Sequence, residues 1–259
     1  MIKKKKKKKK DSIGWLTLNR PKKHNALSLD LINNIKKQLN IISKKEEIKV
    51  IVIKANGDSF CSGHEINDLI GEKYDIYYFQ KIFSECTNMM QTLHEISQPV
   101  IASVHGVATA AGCQLVAACD LAVAEKNAKF ATPGVKIGLF CSTPMVPLVR
   151  LIGRRRALDM LLTGRYVSAM EAKEFGLVNK VVSKDELYIE TERLAKMISQ
   201  YSRFILEYGK KTFYNQINLD ESSAYDYATE SIARNCLFED AQEGMKAVLE
   251  KRKPKWKNR

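Results

Sequence analysis

The sequence carries no CxxC pair and no cysteine spacing suited to a metal. Its six cysteines (Cys61, Cys86, Cys113, Cys119, Cys141, Cys236) stand mostly among apolar neighbours, so buried free thiols in a reducing, intracellular compartment are expected rather than disulfides. No apolar run approaches the roughly 20 residues that span a bilayer, which excludes a transmembrane helix from the reading. There is no apolar segment of the secretory-leader type near the start. The run Lys3–Lys10 lacks the Arg, Ser and apolar face of a mitochondrial leader. Acidic residues are in the minority, 29 against 43 basic ones, for a net charge of +14. Eight of those charges are Lys3–Lys10, which cannot bury surface and repel one another, so that stretch is expected to be disordered.

What remains is a chain of 259 residues, 45% hydrophobic, long enough for one large core with a helical appendage. Ile13–Leu18 and Val50–Ile53 read as strands. Ser28 caps a helix with Leu31, Ile32, Ile35, Leu39 and Ile42 on one face. From Tyr74 to Ile96, Phe79, Ile82, Cys86, Met89, Leu93 and Ile96 recur at helical spacing. Arg154–Leu162 is a helix stopped by Gly164. Ser168 and Glu171 form a capping box, with Gly176 closing that short helix. Val178–Val182 is a last strand. From Lys184 onward Gly and Pro become scarce and the pattern is helical, broken near 201–202 and 215–218. Alternating strands and helices followed by helices argue an α/β body with a helical C-terminal part.

The most informative stretch runs from Ser97 to Thr143. An apolar strand, Val100–Val104, leads through a small-residue loop, His105–Ala110, into a helix from Ala111 to Ala118. Small residues at 108 and 110–112 leave backbone N–H groups uncovered at the positive end of that helix, where a developing negative charge is stabilised. A tightly packed strand-to-helix turn is the alternative reading. A second bend, Phe60–Ile66, also follows an apolar strand and also carries small residues. Two such bends can supply two N–H donors to one oxygen.

These pieces, in order, resemble the enoyl-CoA hydratase/isomerase (crotonase) superfamily. They are 18–22 (LNRPK) with 25–27 (NAL), 60–65 (FCSGHE), 104–106 with 111–115 (AGCQL), 119–122 (CDLA), 130–133 (FATP), 162–164 and 174–178. Within it, 62–64, Gln114 and 138–144 are most similar to the mitochondrial enoyl-CoA hydratase domain-containing subgroup. The resemblance implies a ββα spiral core with a C-terminal helical trimerisation region. It divides the chain into 1–11 (oligolysine extension), 12–200 (core) and 201–259 (helical region), with assembly as a homotrimer or homohexamer. It implies a mitochondrial compartment. It makes an acyl-CoA thioester the substrate, coenzyme A being part of that substrate and no cofactor or metal being held permanently. The oxyanion donors it implies are the backbone N–H groups of His64 and Ala111.

Hydratases of the family hold water between two glutamates. The matching positions here are Gln114, which hydrogen-bonds but takes no proton, and Gly134, which does neither. General acid–base catalysis is worth roughly 10² to 10⁴ in rate, so weak hydration is expected. The His64 ring is a candidate substitute, or else a loop histidine satisfied by a neighbouring carbonyl. Cys141 is a candidate acyl-pocket residue, or else a small buried hydrophobe. Lys22, with Lys23 and His24 before a helix, suits a phosphate or adenine. Ala26, Ser62 and His64 border the implied pantetheine path. Lys251, in a basic tail, is the remaining coenzyme contact, or else part of a solvated terminus. Decarboxylation of a malonyl-type thioester, acyl-CoA binding without catalysis, and RNA binding through the basic ends are the competing functions.

Overall fold

The computed structural model describes residues 12–70 and 75–259. Lys3–Lys10 and Tyr74, two places where the sequence suggested an extension and a helix start, lie outside the described residues. Five strands form a parallel sheet in the order β1 (Ile13–Leu18), β2 (Val50–Ala55), β3 (Val100–Val104), β5 (Leu121–Glu125), β8 (Lys180–Val182). A second sheet joins β4 (Val107–Thr109), β6 (Lys129–Ala131) and β7 (Val167–Ser168). The chain passes from one sheet to the other between β3 and β4 and again between β5 and β6, which is the spiral the resemblance implies.

The first sheet is covered on both sides, so its strands are apolar runs rather than alternating patterns. Val50, Val52, Ile101 and Val123 pack with Leu187 and Ala195 of α7 (Leu187–Ser199). Ile51, Ile53, Val100 and Ala102 face the larger core built with α1 (Leu29–Ser43), α2 (Ile76–Glu95) and α3 (Ala111–Ala118). Ser28 accepts a hydrogen bond from Leu31 N–H and Ser168 from Glu171 N–H, as their sequence contexts predict. α4 (Ser142–Ile152), α5 (Arg154–Thr163) and α6 (Ala169–Phe175) precede β8. After α7 come α8 (Arg203–Gln216), α9 (Glu221–Cys236) and α10 (Glu239–Leu249).

Three local readings are corrected. The loop expected over His105–Ala110 contains β4, because Val107 and Thr109 pair through backbone with Cys61 as well as with β6. The loop at Arg20–Asn25 holds a 3-10 turn, Pro21–Lys23. The last strand starts at Lys180 rather than Val178, since Val178 N–H still reaches back to Ala172 O of the preceding helix. Five of the six cysteines are buried and all are free.

α8 is fastened to the body by a buried ion pair. Lys210 Nζ donates to Asp120 at 2.7 Å and to the carbonyls of Leu93 (2.6 Å) and Gln98 (2.9 Å), which uses all three of its protons. Asp120 also accepts from Tyr214 Oη and from Val100 N–H, each at 2.7 Å. Burial, with the Asp120 charge beside it, pushes the Tyr214 phenol well up, so it stays a donor.

Candidate active site

The two bends lie side by side. Cys61 N–H donates to Val107 O (3.1 Å), Thr109 N–H to Cys61 O (2.9 Å), and Thr109 Oγ1 to Ser62 O (3.1 Å). On its other edge the 61–65 strand pairs with Leu27, through Leu27 N–H to Gly63 O (2.7 Å) and Glu65 N–H to Leu27 O (3.1 Å). In a parallel pairing alternate residues face the partner. Gly63 and Glu65 are spent on Leu27, so the N–H of His64 points away from that partner. Neither it nor the N–H of Ala111 has an acceptor among the described residues.

Close approach is enforced by glycine. A Cβ on Gly112 would lie 2.1 Å from the Cys61 carbonyl oxygen. One on Gly63, whose φ is +101°, would lie 2.9 Å from the Ala110 Cβ and 3.5 Å from the Ala111 nitrogen. Ala110 itself sits at φ 50°, ψ −119°, a backbone that side chains avoid. Such strain persists where surrounding bonds over-determine it, here Ala110 N–H to Ala131 O at 2.9 Å and Gln114 N–H to Ala110 O at 3.0 Å.

Among the described residues six buried side-chain atoms lack a partner: both ring nitrogens of His64, Oε1 of Gln114 and Oγ1 of Thr132 on the segments that meet here, and Arg203 Nε and Asn235 Nδ2 in the C-terminal helices. Thr132 is held there because Ala131 pairs with β4. Each unmade bond costs about 1–3 kcal/mol, so a cluster of them marks a place where something other than the protein completes the bonding. Burial lowers the pKa of the His64 ring and keeps it neutral near pH 7. The Leu27 carbonyl and the Asp68 charge offset this in part, though neither closes a hydrogen bond on the ring. The ring meets Phe83 of α2 nearly at right angles, with centroids 5.1 Å apart.

Gln114 also lines a cavity of about 450 Å³, with Met90, Ala117, Val146, Leu151 and Phe213 among its walls. Ala111, Gln114 and Ala118 share one face of α3, and the last two of these line the cavity. Cys141, expected in an acyl pocket, instead packs against Gly134. A Cβ on Gly134 would stand 2.9 Å from the Cys141 sulfur and 2.7 Å from Leu139 O. The place a glutamate would occupy is thus filled by the chain itself.

Of the residues singled out from sequence, Ala26, Ser62 and His64 come together. Ser62 N–H donates to His24 O (3.1 Å), and Arg20 spans the same loop to Ala26 O (2.8 Å) and to Glu65 (3.2 Å). That ion pair turns Glu65 away from the amides. Lys22 is exposed on the same loop. Lys251 is not brought to it: the tail folds onto its own chain, with Arg252 on Glu243 at 2.6 Å and Trp256 Nε1 donating to Gln200 O at 2.8 Å. Phe83 went unmarked in the sequence, and Thr132 and Arg20 were marked only as members of the family-like stretches 130–133 and 18–22, with no role assigned. Only the Pro133 that follows Thr132 hints at an interrupted backbone there.

The enoyl-CoA hydratase/isomerase family profile matches residues 8–259. The chain belongs to that family. The "enoyl-CoA hydratase domain-containing protein 3, mitochondrial" of Homo sapiens is 44% identical over 246 residues, 95% of this chain and 81% of the relative. The crystal structure of that human protein superposes with a TM-score of 0.92, covering 96% of this chain and 98% of the other. An enoyl-CoA hydratase of Mycobacterium smegmatis gives 0.91 at 44% identity, over 95% of each chain. This hydratase/isomerase-family chain therefore has the acyl-CoA-binding enzyme fold of its relatives. No helix among the described residues is long and apolar enough to cross a membrane.

Proposed function

We propose that this chain binds an acyl-CoA thioester and stabilises negative charge on its carbonyl oxygen with two backbone N–H groups, those of His64 and Ala111. The observation that carries the reading is that two acceptor-free amides lie on adjacent bends, among buried polar atoms that lack partners. Coenzyme A enters as part of the substrate. The loop bearing Lys22, Ala26 and Ser62 supports a path for it, and Lys251 could reach such a path only on another subunit. Exposed apolar side chains on and beside α9 and α10 (Ile232, Leu237, Val248, Leu249) support assembly as a homotrimer or homohexamer. Relatives named as mitochondrial support that compartment.

Water addition between two carboxylates is not the chemistry this arrangement favours. Gln114 cannot exchange a proton at neutral pH, and Gly134 has neither a side chain nor room for one. A reaction needing mainly enolate stabilisation, including loss of CO2 from a malonyl-type thioester, suits the site better. Acyl-CoA binding without turnover is the second reading, favoured by the closed place at Gly134.

The test is exchange of the C2 protons of butyryl-CoA for deuterium, followed by NMR beside a binding titration. Replacing Ala111 by lactate removes that N–H and keeps the side chain, while weakening the Ala110 carbonyl that accepts from Gln114 N–H. Exchange should fall about 10²- to 10³-fold, the usual effect of losing one oxyanion donor. Failure of the wild type to bind butyryl-CoA, or unchanged exchange in the ester variant, overturns the reading.

A further inference from the structure

We infer that the imidazole of His64 is the group that moves the α-proton of the bound thioester, in the role the missing carboxylates leave open. This rests on the proposed thioester site and adds a proton carrier to it.

The ring is in an unusual position for a histidine. Both nitrogens are shielded from solvent and, among the described residues, neither closes a hydrogen bond, although the Leu27 carbonyl stands near and a neutral imidazole offers one donor and one acceptor. A ring placed for packing would ordinarily find a carbonyl or hydroxyl. His24, on the neighbouring loop, does so with Ser59 Oγ at 3.3 Å, and His105 with Gly57 O at 2.7 Å. The carboxylates near His64 are engaged elsewhere: Glu65 with Arg20 at 3.2 Å, and Asp68 with the N–H of Leu29 at 3.3 Å. Among the groups facing it, Asp68 is the one charge that acts on the ring; Phe83 from α2 brings none.

The ring reaches Phe83, and Phe83, Thr87, Met90 and His94 recur along one face of α2. Thr87, Met90 and His94 wall the cavity that contains Gln114. The backbone N–H of the same residue is one of the two oxyanion donors. Carbonyl oxygen and adjacent C2 would therefore be served from a single position in the chain.

The step balances without another reactant. Neutral His64 takes a proton from C2, and the C–H electron pair becomes the C1–C2 π bond. The carbonyl π pair moves onto oxygen, where the N–H groups of His64 and Ala111 hold it. Return of a proton from the imidazolium to C2, or to a conjugated carbon further along the chain, completes an exchange or a double-bond shift. A neutral base is needed, and burial supplies it by lowering the ring's pKa.

The experiment compares wild type, His64→Ala and His64→Phe in the butyryl-CoA exchange assay, with binding measured in parallel. Both variants keep the backbone amide, and the Phe variant keeps the contact with Phe83 should the Ala variant fold poorly. Exchange is expected to fall about 10²- to 10⁴-fold with butyryl-CoA affinity retained, and imidazole in the buffer should restore part of it in His64→Ala. In the wild type the exchange rate should rise with pH through one ionisation below 6.5 and then level off, and the variants should lack that limb. Exchange undiminished in both variants, wild-type binding without exchange, or a pH limb that survives in them overturns the inference. None of these results touches thioester binding; absence of binding in the wild type would instead remove the site itself.

Discussion

A methyl group at Gly112 should pull the two amides apart, and the size of that effect can be worked out. The added Cβ would lie 2.1 Å from the Cys61 oxygen and 2.8 Å from both the Cys61 carbonyl carbon and its Cβ. Contacts of that kind need about 3 Å or more, so α3 and the 61–65 strand must separate by about 1 Å. The strand is tied at this point by two backbone bonds, Cys61 N–H to Val107 O (3.1 Å) and Thr109 N–H to Cys61 O (2.9 Å). Each contributes about 1 kcal/mol, and overpacking adds about 1–3, for a loss of about 3–5 kcal/mol. In a chain of this size that is a fall in melting temperature of roughly 6–20 °C. The same displacement moves one of the two proposed oxyanion donors by about 1 Å, which costs on the order of 10²-fold in any step that needs both. Thermal unfolding and C2-proton exchange on the purified variant read the two effects separately. Gly209→Ala is the control: that glycine is inside α8 with nothing within 4 Å of a Cβ, so the substitution should stabilise by about 0.5–1 kcal/mol. A Gly112→Ala protein that melts with the wild type and exchanges at its rate would refute the close approach of the bends.

Four further outcomes are expected. Ala110→Gly relieves the φ 50° strain and should raise the urea midpoint by the equivalent of about 1 kcal/mol. Gly134→Glu should not restore hydration of crotonyl-CoA and should instead lower the melting temperature, because Leu139 O and Cys141 Sγ occupy the space its Cβ requires. Lys210→Met leaves Asp120 without its cation and should cost about 3–5 kcal/mol in denaturant unfolding, since breaking one side of a buried pair strands the other. His64 and His94 both have pKa values lowered by burial, so the unfolded chain binds more protons between the folded values and 6.5. Stability should therefore fall as the pH drops through and below 6.5, with a smaller loss in His64→Phe, as urea titrations at two pH values would show.

Much of the architecture could be read from period and punctuation. Ser28 and Ser168 announced their helices because a cap is a local bond, made within three residues. Val50–Ile53 read as a buried strand because both faces of its sheet are covered. β4 was hidden for the opposite reason. Three residues give no pattern, and its pairing with Cys61 crosses more than forty positions of chain. The donors at His64 and Ala111 came from resemblance, whereas what isolates them is non-local: Gly63 and Glu65 being taken by Leu27. Phe83 carried no sequence signal and Thr132 only its place in the 130–133 stretch, since an unmade hydrogen bond or a ring contact exists only once distant segments meet.

The pattern of what is kept and what is lost bears on how the chemistry is divided. The proposed oxyanion stabilisation would depend on backbone geometry, so it would tolerate side-chain change: at Ala111 nothing but an N–H is asked of the residue. Proton transfer depends on side chains, and neither Gln114 nor Gly134 supplies one that exchanges a proton. Leu139 O and Cys141 Sγ stand where a Cβ on Gly134 would lie, so the packing leaves no room for a carboxylate there. A chain that had stopped handling thioesters would be free to fill the remaining polar vacancies, because every unpartnered group there costs stability. His64, Gln114 and Thr132 nevertheless remain unpartnered around two free amides. Among the described residues that deficit supports the proposed thioester site, and the imidazole without a hydrogen bond supports the proposed proton transfer.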